Sequence, residues 1–250
     1  MPPLGLHMAL ARSLRDELGT NGPFACEGEY LLGSTAPDIR VLTRWDRQVT
    51  HFFDLENFEP QSGVEGLFHA QPQVADAAML NDSTRAFISG YITHLEMDEC
   101  WINEVYRPYF GANSNLAGDS RANVLDRVLQ YELERKVRED SAFMAACRDA
   151  LEAAVMEIEC GFLERETLAK WREVNLDVVS RPPDWDRFRQ IASRHLRDAG
   201  IETVEAVDAF MDEIPDLLEE TRRHVSDERI EAFMTNARER SRQSLETYLQ

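Results

Sequence analysis

The chain has 250 residues, 43% of them hydrophobic, with only 12 Gly and 10 Pro. That length buries a sizeable core and that composition excludes wholesale disorder or a fibrous repeat. Its 27 basic against 46 acidic residues, a net charge of −19, argue against a surface that draws nucleic acid or anionic membrane by bulk electrostatics. A local cationic site remains compatible with that balance, since a bound divalent metal dominates its own surroundings.

Patterning predicts an all-α, multi-helix protein. A first helix is expected over Leu4 to Leu18, where Leu6, Leu10, Leu14 and Leu18 recur every four residues and His7 sits beside Leu6. The start of the chain has neither the basic end nor the sustained apolar run of a secretory leader, and no later stretch is apolar enough to span a bilayer. With Cys26, Cys100, Cys147 and Cys160 scattered and no C-x-x-C pair, reduced thiols in a cytoplasmic protein are the expectation. Asn21 to Glu29 is expected to be a loop. Ser34-Thr35-Ala36-Pro37-Asp38 has the form of a helix entry, with Asp38 in its first turn.

Gln48 to Phe58 is rich in aromatics, with His51 among Phe52, Phe53 and Phe58, and Gln61 to Gly66 is expected as a loop. Helices are then predicted from Thr84 to Tyr106, Arg121 to Val137 and, as one long element, Ser141 to Lys170, with a loop over Phe110 to Asp119. Arg181-Pro182-Pro183-Asp184 breaks the chain. Further charged amphipathic helices follow Trp185, one of them broken before Pro215. This divides the molecule into a helical domain over residues 1–180 and a helical extension over 181–250 packed on it. The long acidic C-terminal half has no catalytic signature and is expected to build a helical scaffold or lid that could also carry a homodimer contact.

Within the predicted helix from Thr84, inward positions fall on Phe87, Tyr91, His94, Asp98, Trp101 and Val105. Two polar side chains four residues apart thus interrupt an apolar stripe. A buried carboxylate needs a partner, so His94 and Asp98 are either a hydrogen-bonded core pair or metal ligands. Gly90, one turn earlier, leaves room for a neighbouring helix or an ion. By residue type, five candidate ligands stand out: His7, Asp38, His51, His94 and Asp98. Imidazole mixed with carboxylate suits zinc better than magnesium or calcium. Spacing alone does not bring the four segments together. His69, His195 and His224 read as surface or loop residues, and Arg40, Arg44 and Arg47 read as solvated charge or as phosphate-holding guanidinium groups.

Four runs in order, Gly5-Leu6-His7-Met8-Ala9-Leu10-Ala11, Tyr30 to Asp38, Thr50-His51-Phe52-Phe53 and Ser89 to Asp98, resemble the bacterial zinc-dependent phospholipase C family over residues 1–101. The resemblance implies an all-helical fold and a polynuclear zinc site. It implies that Asp38, His51, His94 and Asp98 bind one zinc and His7 a second, with Asp98 bridging and Asp38 activating water. The family's N-terminal Trp ligand has no counterpart here, because Met1, Pro2 and Pro3 precede His7. Its further His ligands are missing too, since no His lies between His94 and His195. Glu104 and Asp119 read either as substitutes, giving an oxygen-richer site for another divalent metal, or as surface acids.

The expected function is therefore metal-dependent hydrolysis of a small phosphoester or a lipid head group, with one or two zinc ions. The reading from another class is a non-catalytic metal-binding or structural helical protein with a degenerate site. An HD-type phosphohydrolase needs adjacent His and Asp, and none of the six His is followed by Asp.

Overall fold

The computed structural model describes residues 2–182, 184, 185 and 187–250. Pro183, half of the double-proline break, lies outside the described residues. Among them the chain is all-α, with no strand, and no helix is long and apolar enough to cross a membrane.

Helix α1 (Leu4–Leu18) begins without a local side-chain cap. A distant residue fills that role: buried Glu134 accepts the Gly5 amide at 3.1 Å, placing a carboxylate at the positive end of α1. Next come α2 (Glu27–Gly33), a 3₁₀ turn over Ala36–Ile39, α3 (Arg40–Thr43), α4 (Arg47–His51) and α5 (Gly63–Ala70). The central α6 (Asp82–Trp101) continues through a π-helical turn, Ile102–Tyr106, into α7 (Arg107–Tyr109). Then follow α8 (Ala122–Arg138), α9 (Ser141–Ala153), α10 (Arg165–Ser180), α11 (Phe188–Ile191), α12 (Ser193–Asp198), α13 (Val204–Asp212), α14 (Ile214–His224) and α15 (Asp227–Tyr248).

Helix α6 is surrounded: α2 and α15 lie along it, with α1 and α5 at its sides. Its single-stripe pattern understates its burial, because Glu96 and Glu99 on the other side are also buried. Their partner is Arg240 of α15, whose Nη2 lies 2.8 Å from Glu96 Oε2 and 2.9 Å from Glu99 Oε1. Ser244 donates to Glu96 as well. The C-terminal helices are thus structural partners of the helix that carries the site. Helix α14 packs on α8, and Pro215 stands in the first turn of α14, where the break was expected.

Three predicted boundaries are corrected. Glu27 to Glu29 belong to α2, and Gly63 to Gly66 begin α5, capped by Ser62. The long helix from Ser141 to Lys170 is two helices, separated by residues 154–164. The break has tertiary causes. Glu29 Oε1 accepts the amides of Val155 (2.8 Å) and Met156 (3.0 Å), Thr84 Oγ1 accepts that of Glu159, and Gln73 Nε2 donates to the Cys160 carbonyl. Ala154 leaves the helical path at ψ 126°, and Met156 then takes φ +65°. Ile158, Cys160 and Leu163 still enter the core, from a non-helical crossing segment.

Candidate metal centre

The five residues singled out by type converge. His7 comes from the second turn of α1, Asp38 from the Pro37-fixed 3₁₀ turn, His51 from the end of α4, and His94 and Asp98 from α6. Asp98 is the hub. Its Oδ1 lies 3.5 Å from His7 Nε2, while its Oδ2 lies 3.2 Å from His51 Nε2 and 3.5 Å from His94 Nε2. Asp38 Oδ1 lies 3.6 Å from His51 Nε2. The rings of His7 and His94 stack at 3.7 Å. Two overlapping sets have ligand atoms all within 4.8 Å of one another: His7, His94 and Asp98, and Asp38, His51 and His94.

The outer contacts orient the imidazoles. His94 Nδ1 lies 2.9 Å from the Ser34 carbonyl, which can only accept, so Nδ1 carries a proton and, in the neutral ring, Nε2 presents the lone pair. Thr50 Oγ1 donates to the Arg47 carbonyl and so accepts from His51 Nδ1 at 2.9 Å, freeing His51 Nε2 in the same way. This is the arrangement by which metal-binding histidines are fixed.

A cation fits the donor set on an independent count. The Nε2 atoms of His7, His51 and His94 and Oδ1 of Asp98 are buried, and none makes a hydrogen bond of acceptable geometry among the described residues. Each such orphan costs about 1–3 kcal/mol, and these four are shared between the two overlapping sets, which have His94 in common. A tetrahedral zinc with bonds of about 2.0–2.1 Å separates neighbouring donors by about 3.3 Å, close to the 3.2–3.6 Å spacings here.

Sequence reasoning weighed Arg47 as a phosphate holder but did not place it on Asp98. Its Nη2 lies 3.2 Å from Asp98 Oδ2 and its Nη1 donates to the Phe53 carbonyl at 3.0 Å. Asp46 caps α4 by accepting the Gln48 amide, and the four-residue spacing then puts Arg47 and His51 on one face. Neither acid considered as a substitute ligand belongs to the cluster: Glu104 accepts from Asn236 of α15, and Asp119 pairs with Arg121. His69 is exposed. His195, expected on the surface, is instead half-buried, with Arg127 Nε donating to its Nε2 at 3.2 Å. His224 is also half-buried.

Burial raises the Asp98 carboxyl, but His94, His51 and His7 outweigh it and hold the group well below the usual carboxylate range. Burial lowers His94, yet the adjacent Asp98 carboxylate leaves it raised. In His7 burial wins, reinforced by His94, and its pKa falls from 6.5 to about 4. The folded protein therefore holds His7 neutral where the unfolded chain protonates it. The stability linked to neutral His7 is fully present above pH 6.5 and lost as pH falls towards 4. In chelator-treated protein this group should remove about 2–3 kcal/mol between those limits. Urea midpoints from pH 7.5 to 4.5 measure it; a His7→Gln variant with the same slope as wild type would show that another group is responsible.

No protein-family model, curated protein or solved structure matches this chain.

Proposed function

We propose that the protein is a metal-dependent phosphoester hydrolase whose centre is formed by His7, Asp38, His51, His94 and Asp98. The observation that carries this reading is the meeting of buried, unbonded imidazole nitrogens and a carboxylate oxygen at zinc-ligand spacing. The ordered resemblance of four segments to zinc-dependent phospholipase C supports the same chemistry. A guanidinium already rests on Asp98, which favours one ion over two by like-charge repulsion.

A bound zinc lowers the pKa of water towards about 7 and polarises a phosphoryl oxygen. The chain supplies the rest. Ser34 and Thr50 fix the imidazoles of His94 and His51, Arg47 balances Asp98, and the surrounding helices exclude water from all but one side. That side is Asp38, which keeps 23% of its side chain exposed against 3% or less for the other four. It is the one carboxylate that a solvent water can reach while it also faces His51.

A non-catalytic, saturated metal site is the second reading, favoured by the near-complete burial of His7, His51, His94 and Asp98. Elemental analysis with a hydrolysis screen separates the two. Under the enzyme reading, about one equivalent of zinc or another divalent transition metal accompanies the purified protein, and phosphomonoesters or phosphodiesters turn over. Metal without turnover of any phosphoester supports the structural site; absence of metal after reconstitution overturns both.

A further inference from the structure

Next to the metal centre lies a second feature that the net charge of the chain does not anticipate. A cavity of about 870 Å³ opens beside the π-helical turn Ile102–Tyr106, within the size range of small-molecule sites. Five arginines line it, Arg40, Arg47, Arg107, Arg127 and Arg194, against three acids. Such a majority is unexpected where acids exceed bases by 19.

Two of the acids have partners within or beside the cavity, and one of them offsets a lining arginine. Asp126 accepts from Trp101 Nε1 and Gln130 Nε2, and Asp198 lies 3.8 Å from Arg194. Two of the arginines are less compensated. Among the described residues, Arg40 and Arg107 have no carboxylate within 4.0 Å, and the Nε of each is buried without a hydrogen-bond partner. Arg107 donates only to neutral oxygens, those of Asn103, Leu55 and Asn57. Its guanidinium is stacked 4.5 Å from the ring of Phe58, which is 61% exposed. A guanidinium without an acid in a concave site attracts anions, and its planar fork matches phosphate. π-Helical turns also recur at functional sites.

We infer that this cavity binds the phosphate-bearing part of a soluble organic anion with at least two negative charges, its apolar or planar portion lying on Leu55 and Phe58. As a substrate assignment this rests on the hydrolase reading. Arg47 is shared, lining the cavity and touching Asp98, so an anion held there sits next to the metal ligands. Arg40 follows Asp38 by two residues and repels Arg47 electrostatically, which a bound phosphate relieves. A cationic choline-type head group gains nothing from these arginines and is disfavoured.

The test is calorimetric titration of the full-length protein as purified, with metal content measured for each variant. The probes are inorganic pyrophosphate, phenyl phosphate and phosphocholine. Pyrophosphate is expected to bind saturably and more tightly than phosphocholine. Arg40→Gln should weaken it at least about tenfold with metal content and urea midpoint unchanged, and Arg40→Lys should restore part of the loss. No saturable pyrophosphate binding, equal binding in Arg40→Gln, or a preference for phosphocholine each overturns the inference. Anion binding lost in Arg40→Gln without turnover of any phosphoester leaves the cavity standing and removes the hydrolase reading. Turnover of phenyl phosphate with an unchanged KM in Arg40→Gln does the reverse.

Discussion

Asp38→Asn is expected to retain the bound metal while losing about 10²–10⁴-fold in phosphoester turnover, the range by which a positioned proton acceptor contributes. His94→Ala should lose both metal and turnover. The contrast follows from where the two residues stand. His94 is fully buried, stacked on His7, oriented by Ser34 and common to both ligand sets, so its removal dismantles the donor arrangement. Asp38 stands at the open side, and its carboxyl is held below the usual range: burial raises it, but the nearby imidazoles of His51 and His94 outweigh burial. It is therefore ionised throughout the physiological range and accepts a hydrogen bond from water at every relevant pH. Asparagine keeps the shape and one acceptor oxygen but cannot take a proton. Elemental analysis beside steady-state hydrolysis distinguishes the cases. Full turnover in Asp38→Asn would remove its assigned role, and metal retained at full stoichiometry in His94→Ala would remove the proposed centre.

Much of this centre is legible from residue type and local pattern, because its ligands lie where local rules are strong. Helix α1 has the predicted bounds, since a leucine every four residues with no interior Gly beyond Gly5 and no Pro leaves few alternatives. The entry at Pro37 and the break before Pro215 follow from the fixed φ of proline. What stayed hidden depends on contacts between distant segments. Gly63 and Gly66 read as loop residues but sit in α5, where their lack of a side chain lets α5 approach the carbonyls of His51 and Phe52. The apolar period after Ser141 continues past Ala153, yet Glu29 draws the Val155 and Met156 amides out of the helix. Arg47 on Asp98 and the arginine-lined cavity belong to the same class, because each is assembled from residues whose sequence neighbours reveal nothing about their partners. His195 shows the limit clearly: between Arg194 and Leu196 on a charged helix it reads as exposed, and only Arg127 of α8 makes it part of the cavity.

Gly90→Ala should destabilise the protein by about 3 kcal/mol or more, at or beyond the upper end of ordinary overpacking, and lower its metal content. Intrinsic propensity alone favours the opposite sign, since replacing glycine by alanine inside a helix gains about 1 kcal/mol. The steric term decides. A Cβ on Gly90 would lie 2.0 Å from the Tyr30 carbonyl oxygen and 2.7 Å from the Ser34 amide nitrogen. The reciprocal position is equally tight, with a Cβ on Gly33 falling 1.9 Å from the Phe87 carbonyl oxygen. These are backbone atoms, so no rotamer change relieves the clash and α2 as a whole must move off α6. The open position at Gly90, read from sequence as room for a helix or an ion, is thus filled by a helix. The consequence reaches the candidate metal centre because Ser34, directly after α2, supplies the carbonyl that orients His94. Displacing α2 lengthens that bond and releases the imidazole from the geometry that aims Nε2 at Asp98. Urea denaturation and elemental analysis on one preparation test both parts. A variant within about 0.5 kcal/mol of wild type, the usual range for a neutral surface change, and with full metal content would mean that the α2–α6 crossing neither is as close as described nor supports the site.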